Sequence, residues 1–514
     1  MIRRLRGGAS AGLLALGGVG AALVLLPIAT ILSQAAHVAP NEAAAMLLRP
    51  LVGRLLRNTL TLVAASTLLA AAIGTAVAWC VERTRLPGRR VWAMLAAVPL
   101  AIPPFIASYA WVSLSDRLQD FGGALLVMAS AYTPLVYLPV AAALRGMDPA
   151  LEESARSLGH GPARCFVRVA LPQLRPALLG GMVLVALNVM VEFGAFSLLR
   201  YRTFTTEIFA EYRTGFAGPG AALLGAVLLL VCLLLLAGEM LLLGRRRYAR
   251  VGRFTRRPPS PLELGWAMAP VLLGLGLLAV VTVGVPLGMV AYWLTQPGSA
   301  ATTPVAASAA RLFHATLASV GFGAAAAALT VALAIPLGFL AVRHPGHAVM
   351  ALERTTFLAQ GVPGIVVALA LVSLTVHALQ PLYQSAALLV AAYAILFLPL
   401  ALVGVRAAFA QAQPGLEDAA RALGLPWRAV FRRVLLPVAG PGLGAAAALV
   451  FVSTVTELTA TLMLSPTGTR TLATEIWVDT STLAFAAAAP YAALMVSLSL
   501  LSTWLLVRRF GAVG

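Results

Sequence analysis

Twelve apolar runs, each long enough to cross the roughly 30 Å hydrocarbon core of a bilayer at about 20 residues per crossing, decide most of what this chain can become. They lie near residues 12–33, 59–81, 92–114, 123–144, 176–199 and 221–243, then 265–294, 316–342, 356–376, 385–405, 440–464 and 486–507. In lipid a backbone satisfies its own N–H and C=O groups only as a helix or a closed barrel, and runs of this length are helical. The expected fold class is therefore an all-α polytopic membrane protein of about twelve transmembrane helices. Composition agrees: only 11% of the residues are charged and the mean hydropathy is +0.91. Arg3, Arg4 and Arg6 precede the first run as they would in a secretory leader. That run exceeds the 7 to 15 apolar residues of a leader core, so it is read as an uncleaved first span.

The apolar pattern is interrupted twice by the same polar island. Leu151–Pro172, LEESARSLGHGPARCFVRVALP, and Leu416–Pro437, LEDAARALGLPWRAVFRRVLLP, align without a gap at an offset of 265 and agree at 11 of 22 positions. An internal duplication follows. In the first copy Asp148 is placed to cap a helix that begins with Pro149, carries Glu152 and Glu153 in its first turn and stops at Gly159. About ten residues make a helix of roughly 15 Å. Leu151, Ala155 and Leu158 form a stripe too narrow for a free-standing helix, so the helix needs a surface to dock on. A second short helix is expected to start at Pro162, or Pro426, and to stop at Pro172, or Pro437.

All 37 basic residues are arginine. With the amino terminus in the cytoplasm, 28 of them fall on cytoplasmic segments and 9 outside, as the positive-inside rule requires. Both termini and both islands are then cytoplasmic. The charge is spread over a membrane face that meets anionic lipid headgroups, which removes nucleic acid as a partner. The halves are expected to be residues 1–250 and 265–514, joined by a basic linker at 251–264. Six spans per half make the repeat parallel, with a pseudo-two-fold axis along the membrane normal and a path between the halves. Thr59-Leu60 recurs as Thr316-Leu317, and Pro103 with Val112-Ser113-Leu114 recurs as Pro363 with Val372-Ser373-Leu374. Pro103, Pro104 and Pro363 should kink the third and ninth spans.

The island pattern resembles the cytoplasmic signature of the permease subunits of binding-protein-dependent ABC importers. Copy one supplies Glu153, Ser154, Ala155, Gly159, Val169, Leu171 and Pro172; copy two supplies Asp418, Ala419, Ala420, Gly424, Val434, Leu436 and Pro437. Ser154 and Asp418 depart from it mildly. The resemblance implies the type I importer permease fold in an inner membrane, with each island a coupling helix resting on an ATPase subunit. Glu152 and Glu417 join the docking residues on the same ground. The implied partners are two copies of the ATPase and a periplasmic binding protein. No cofactor is expected on this chain; ATP and Mg belong to the ATPase, since a Walker phosphate loop requires a Lys and this chain has none.

Acids inside the spans are few. Glu192 and Glu457 share the 265 offset and fall near the outer ends of the fifth and eleventh spans. Two readings stay open: interfacial acids paired with an arginine such as Arg200 or Arg202, or a carboxylate pair at an outer gate where a cation is met. The loops that follow also match, Arg202 to Ile208 against Arg470 to Ile476. Val455–Trp477 and Val191–Ile208 look like the corresponding places in ferric-iron importer permeases, fused two-half chains of this length. Relatives carrying thiamine, phosphonates or polyamines share much of this. A twelve-span secondary transporter is the alternative class, but it has no use for the two islands. No nucleophile motif supports an enzyme. Cys80, Cys165 and Cys232 are too dispersed for a disulfide framework or a zinc site, and His344 and His347 are read as an ordinary polar loop rather than metal ligands.

Overall fold

A computed structural model describes residues 11–214, 219–243, 261–296 and 305–510. The amino-terminal arginines and most of the 251–264 linker lie outside the described residues. Among those described the secondary structure is helical, apart from one isolated bridge between Thr84 and Leu262. The first half runs α1 (Ala11–Ala36), α2 (Pro50–Arg83), α3 (Pro104–Leu114), α4 (Phe121–Gly146), α5 (Pro149–Ser157), α6 (Leu171–Val191), α7 (Gly194–Leu198), α8 (Phe204–Thr214) and α9 (Pro219–Leu243). The second repeats the series as α10 (Val285–Leu294), α11 (Val305–Arg343), α12 (Gly364–His377), α13 (Ala386–Gln411), α14 (Pro414–Ala422), α15 (Leu436–Val455), α16 (Thr459–Leu464), α17 (Leu472–Ser481) and α18 (Phe485–Phe510). Each labelled helix of the first half thus has its counterpart nine labels later, while the short helix Pro40–Leu47 has none among the described residues.

Ten helices among the described residues are long and apolar enough to cross a membrane. Two further pairs pass the same test jointly but are broken: Arg89–Ala101 with α3, bent by 94°, and His347–Gly361 with α12, bent by 103°. These are the third and ninth runs, and the prolines do more than kink them. A residue before proline is driven out of helical geometry. Ile102 (φ −101°, ψ 109°) and Val362 (φ −97°, ψ 112°) are extended, and Pro103 and Pro363 then start a new helix in a new direction.

Pro172 and Pro437 do the opposite of what their position suggests. They do not end a helix: the fifth and eleventh spans run from Phe166 to Val191 and from Trp427 to Val455, starting well before the expected 176 and 440. Proline lacks an N–H and its ring collides with the carbonyl four residues earlier. The chain widens into a π-helical turn at Phe166–Ala170, and again at Phe431–Leu435, and each proline enters just after it. One wide turn absorbs the missing bond, so the helix continues.

The chain forms two compact units, and they are not the two sequential halves. One comprises the described residues of Arg49–Thr206 and Leu230–Gln296; the other comprises those of Met1–Leu48, Glu207–Leu229 and Pro297–Gly514. In the first, α2, α4 and α6 pack on one another, and α10, from the second half, packs on α3. In the second, α11, α13 and α15 pack mutually, and α1, from the first half, lies against α11 and α12. Val24 of α1 shares one core with Leu337, Leu402, Val405 and Val450. Close helix approach depends on glycine: a Cβ on Gly442 of α15 would stand 2.5 Å from the Ala408 Cβ of α13.

The structure also resets one internal match. The N–H of Phe204 donates to Thr59 Oγ1 (3.3 Å), and that of its counterpart Leu472 donates to Ser319 Oγ (2.8 Å). Thr59 therefore corresponds to Ser319, one turn beyond Thr316. This offset of 260 is the one that relates Pro103 to Pro363.

Candidate functional site

The two islands fold as nine-residue helices, α5 and α14. Asp148 caps α5 by accepting from the Ala150 N–H at 3.0 Å; Gln413, at the same place in α14, makes no side-chain cap. Both helices end in the same way. Gly159 and Gly424 take φ +81°, a left-handed conformation open to glycine at little cost. The Gly159 N–H then reaches the Arg156 carbonyl (2.9 Å) and the His160 N–H reaches that of Ala155 (3.1 Å); Gly424 to Arg421 (2.9 Å) and Leu425 to Ala420 (3.2 Å) repeat the pair. This double closure satisfies the carbonyls that the last turn leaves open.

The island residues sort into inner, outer and hinge groups. Ala155 and Ala420 are buried against the spans, as are Glu152 and Glu417. Leu151 and Leu158, expected to share a stripe with Ala155, are instead exposed with Leu416 and Leu423; Leu158 is 78% and Leu423 84% accessible. The helix is tethered through Ala155 and the glutamate beside it, and the leucines form an outward ridge. Glu153, Asp418 and Ala419 lie on the exposed side. Leu171 and Pro172 are half-buried and Leu436 and Pro437 exposed, all four directly after the π turns.

Glu152 and Glu417 are held by arginines that sequence reasoning missed. Arg83, the last residue of α2, donates from Nε to Glu152 at 3.1 Å, and Arg343, the last of α11, donates from Nε to Glu417 at 2.6 Å. The signal was there but displaced. The islands align at 265 and these arginines at 260, while the Pro-Gly pairs after them, Pro87-Gly88 and Pro345-Gly346, align at 258 and would match Arg343 to Arg85.

Glu192 and Glu457 stand where their spans break. α6 ends at Val191 and α7 starts at Gly194; α15 ends at Val455 and α16 starts at Thr459. Glu192 accepts from the Ala195 N–H (3.0 Å) and from the Tyr132 hydroxyl (3.1 Å). Glu457 accepts from the N–H groups of Ala460 (3.0 Å) and Thr461 (3.1 Å). Those are the bonds of a carboxylate capping the short helix beyond the break. Glu457 also lies at the start of α12, where a Cβ on Gly364 would stand 3.2 Å from its Oε1.

The loops beyond the breaks match as expected: Thr206 Oγ1 accepts from the Thr203 N–H and Thr474 Oγ1 from that of Thr471, both at 2.9 Å. In the second, Arg470 lies 3.2 Å from Glu475. The Asp479 carboxyl, one turn further along α17, is pushed up to about 6 by burial and by Glu475, against the pull of Arg311 and Arg470.

A unit of membrane-crossing helices used twice, each copy carrying one rigidly capped helix with an outward leucine ridge, defines a polytopic membrane protein made by duplication. The sequence matches the family model described as binding-protein-dependent transport system inner membrane component twice, over residues 69–247 and 334–509. The chain belongs to that family. It is therefore a permease component and not itself the ATPase. It is 36% identical over 482 residues to the Fe(3+)-transport system permease protein FbpB 2 of Haemophilus influenzae, which covers 94% of this chain and 95% of the relative. Similarity to the sulfate transport system permease protein CysT of Escherichia coli is 27% over 42% of this chain and 84% of the relative. For the molybdenum transport system permease protein ModB of the same species it is 32% over 27% and 66%.

Proposed function

We propose that this chain is the whole membrane pathway of an ATP-driven ferric-iron importer. A periplasmic binding protein delivers the cargo to the outer face. Two ATPase subunits, carrying ATP and Mg, seat on α5 and α14 at the cytoplasmic face. The observation that carries the cargo assignment is the end-to-end match, across both halves, to a permease named for Fe(3+), whereas the sulfate and molybdenum permeases align with less than half of the chain. Orientation with both termini inside is supported by the distribution of arginine. Two docking helices, each with an exposed leucine ridge, support one ATPase subunit per half. Full burial of a leucine is worth about 1.5–3 kcal/mol, so Leu158 and Leu423 are the natural anchors. Residues 1–250 and 265–514 are proposed as the duplicated halves, interlocked through α1 and α10. Glu192 and Glu457 are proposed as path residues that act by holding the breaks at the outer ends of their spans.

The test is uptake of labelled ferric iron by cells expressing the permease, the ATPase and the binding protein. Uptake is expected to require all three and to be indifferent to excess sulfate or molybdate. Transport of an oxyanion with no transport of iron would overturn the cargo and leave the permease role in place. Labelling of cysteines placed at the exposed positions 158 and 423 by an impermeant reagent in intact cells would overturn the orientation.

A further inference from the structure

Each docking helix is fastened to the spans by one guanidinium with two bonds. While its Nε holds Glu152, Arg83 donates from Nη2 to the Leu144 carbonyl at 2.9 Å; Arg343, holding Glu417, donates from Nη2 to the Ala412 carbonyl at 2.7 Å. Leu144 is in the last turn of α4, and Ala412 directly follows α13. Ala412 lies where a helix end leaves carbonyls open, and the Leu144 carbonyl takes the guanidinium beside the N–H of Met147, which reaches it at 3.3 Å. One planar group thus joins the end of α2, the end of α4 and the inner face of α5, and its counterpart joins α11, α13 and α14. Only a rigid fork of donors at fixed spacing serves both acceptors from one position.

A buried ion pair is weak evidence of stability, because taking both charges out of water costs about what their attraction returns. Its recurrence in both halves therefore points to geometry. A nine-residue helix entered by a loop and closed by a glycine has little else to fix its angle against the spans. We propose that Arg83 and Arg343 are positioning residues of the transport cycle: with Glu152 and Glu417 they form rigid joints that turn displacement of α5 and α14 into displacement of the ends of α2, α4, α11 and α13. The proposal rests on the reading of α5 and α14 as ATPase-docking helices.

The joints are unequal. The first is nearly sealed, both side chains 2% accessible, while the second is 12% and 10% accessible. Arg156 comes within 3.6 Å of Glu152, and Cys165 Sγ lies 3.6 Å from the Glu152 carbonyl. Arg421, the counterpart of Arg156, instead lies over the ring of Trp427 at 5.0 Å, in a copy where Trp427 stands in the place of Pro162. The first joint is the stiffer, so α5 carries the larger share of coupling.

The test uses the complete importer in proteoliposomes, reading the ratio of ATP hydrolysis with loaded binding protein to hydrolysis without it. The double variants Arg83→Met/Glu152→Leu and Arg343→Met/Glu417→Leu remove both charges of a joint together; in the first, Arg156 also loses Glu152, but its side chain is 30% accessible and water can take up its charge. The first is expected to lower the ratio roughly tenfold, within the usual range of coupling between sites, and the second less, roughly threefold, with the ATPase retained on the purified complex. Arg83→Lys keeps the charge without the fork and should fall between the first double variant and the parent. Parental stimulation in both double variants overturns the joints; should they not accumulate, parental stimulation in Arg83→Lys does so. Cross-linking to the ATPase from cysteines placed at 158 and 423, in a cysteine-free background, separates this from the docking reading. Cross-links with undisturbed coupling sink the joints alone, and absence of cross-links sinks the docking assignment.

Discussion

Replacing Gly159 or Gly424 isolates one physical quantity, the cost of a left-handed residue at the end of α5 or α14. Both glycines have φ +81°, and a Cβ built on either meets no atom within 4 Å, so a side chain there collides with nothing and pays only for its backbone. That cost is about 1–2 kcal/mol for an ordinary L-residue, least for Asn and greatest for a β-branched side chain. One or two kcal/mol is a factor of roughly 5–30 in the ratio of closed to open states. At each end two closing bonds are at stake, Gly159 to Arg156 and His160 to Ala155, or Gly424 to Arg421 and Leu425 to Ala420. Amide hydrogen exchange of residues 158–160 and 423–425 in nanodiscs should accelerate in the order Gly, Asn, Ala, Val by those factors. Uptake should fall in the same order, with the protein still reaching the membrane. Equal exchange in the Asn and Val proteins, or full transport by the Gly159→Val, Gly424→Val double variant, would refute the conformational argument.

Asp479 titrates with its fold. Because its folded carboxyl is pushed up to about 6, the native state holds a proton that the unfolded chain gives up, so this group adds stability at low pH that is lost as pH rises through 6. Thermal unfolding in detergent should show Asp479→Asn raising the midpoint at pH 7.5, raising it less at pH 4.5 and leaving it nearly unchanged once the pH falls below the ordinary aspartate value of 3.8. Gly442→Val drives a branched side chain into Ala408 of α13 and should cost at least about 1–3 kcal/mol, read as a lower unfolding midpoint, while Gly440→Ala, with open space around it, should be nearly silent. Glu457→Leu deletes the cap of α16 and should cost about 0.5–2 kcal/mol; Glu457→Gln keeps one acceptor and should cost less. Iron uptake that falls in the Gln variant at unchanged stability would give the carboxylate a role in the path beyond capping.

The spans were legible because bilayer thickness imposes a length and a polarity that few other constraints can mimic, and the islands because a polar stretch repeated in an apolar chain has little chance origin. Gly159 and Gly424 were readable as helix ends because the left-handed cap is a local, single-residue requirement. What sequence could not supply was direction and partner. Leu151, Ala155 and Leu158 differ by at most about 60° around a helix at 3.6 residues per turn, too little for periodicity to choose which of them faces the spans. Arg83 and Arg343 looked like ordinary span-end charges, since their meaning lies in a contact 69 or 74 residues away. Pro172 and Pro437 read as stops because a π turn leaves no local sequence mark distinct from a helix end. The fate of Glu192 and Glu457 depended on a break in the helix that their apolar surroundings did not announce.

The exchange of α1 and α10 between the sequential halves has a consequence for synthesis. α1 leaves the ribosome before the helices it chiefly packs on, which begin at Val305. At about 5–20 residues per second, the intervening stretch of almost 270 residues takes roughly 13–54 s to appear. For that interval α1 waits in the lipid with its future contact face, Gly17, Gly20, Val24 and Ile31, open to any other helix that diffuses past. Keeping both halves on one polypeptide confines that search to a partner arriving on the same chain, and a cell making the halves separately would have to solve the same search by concentration.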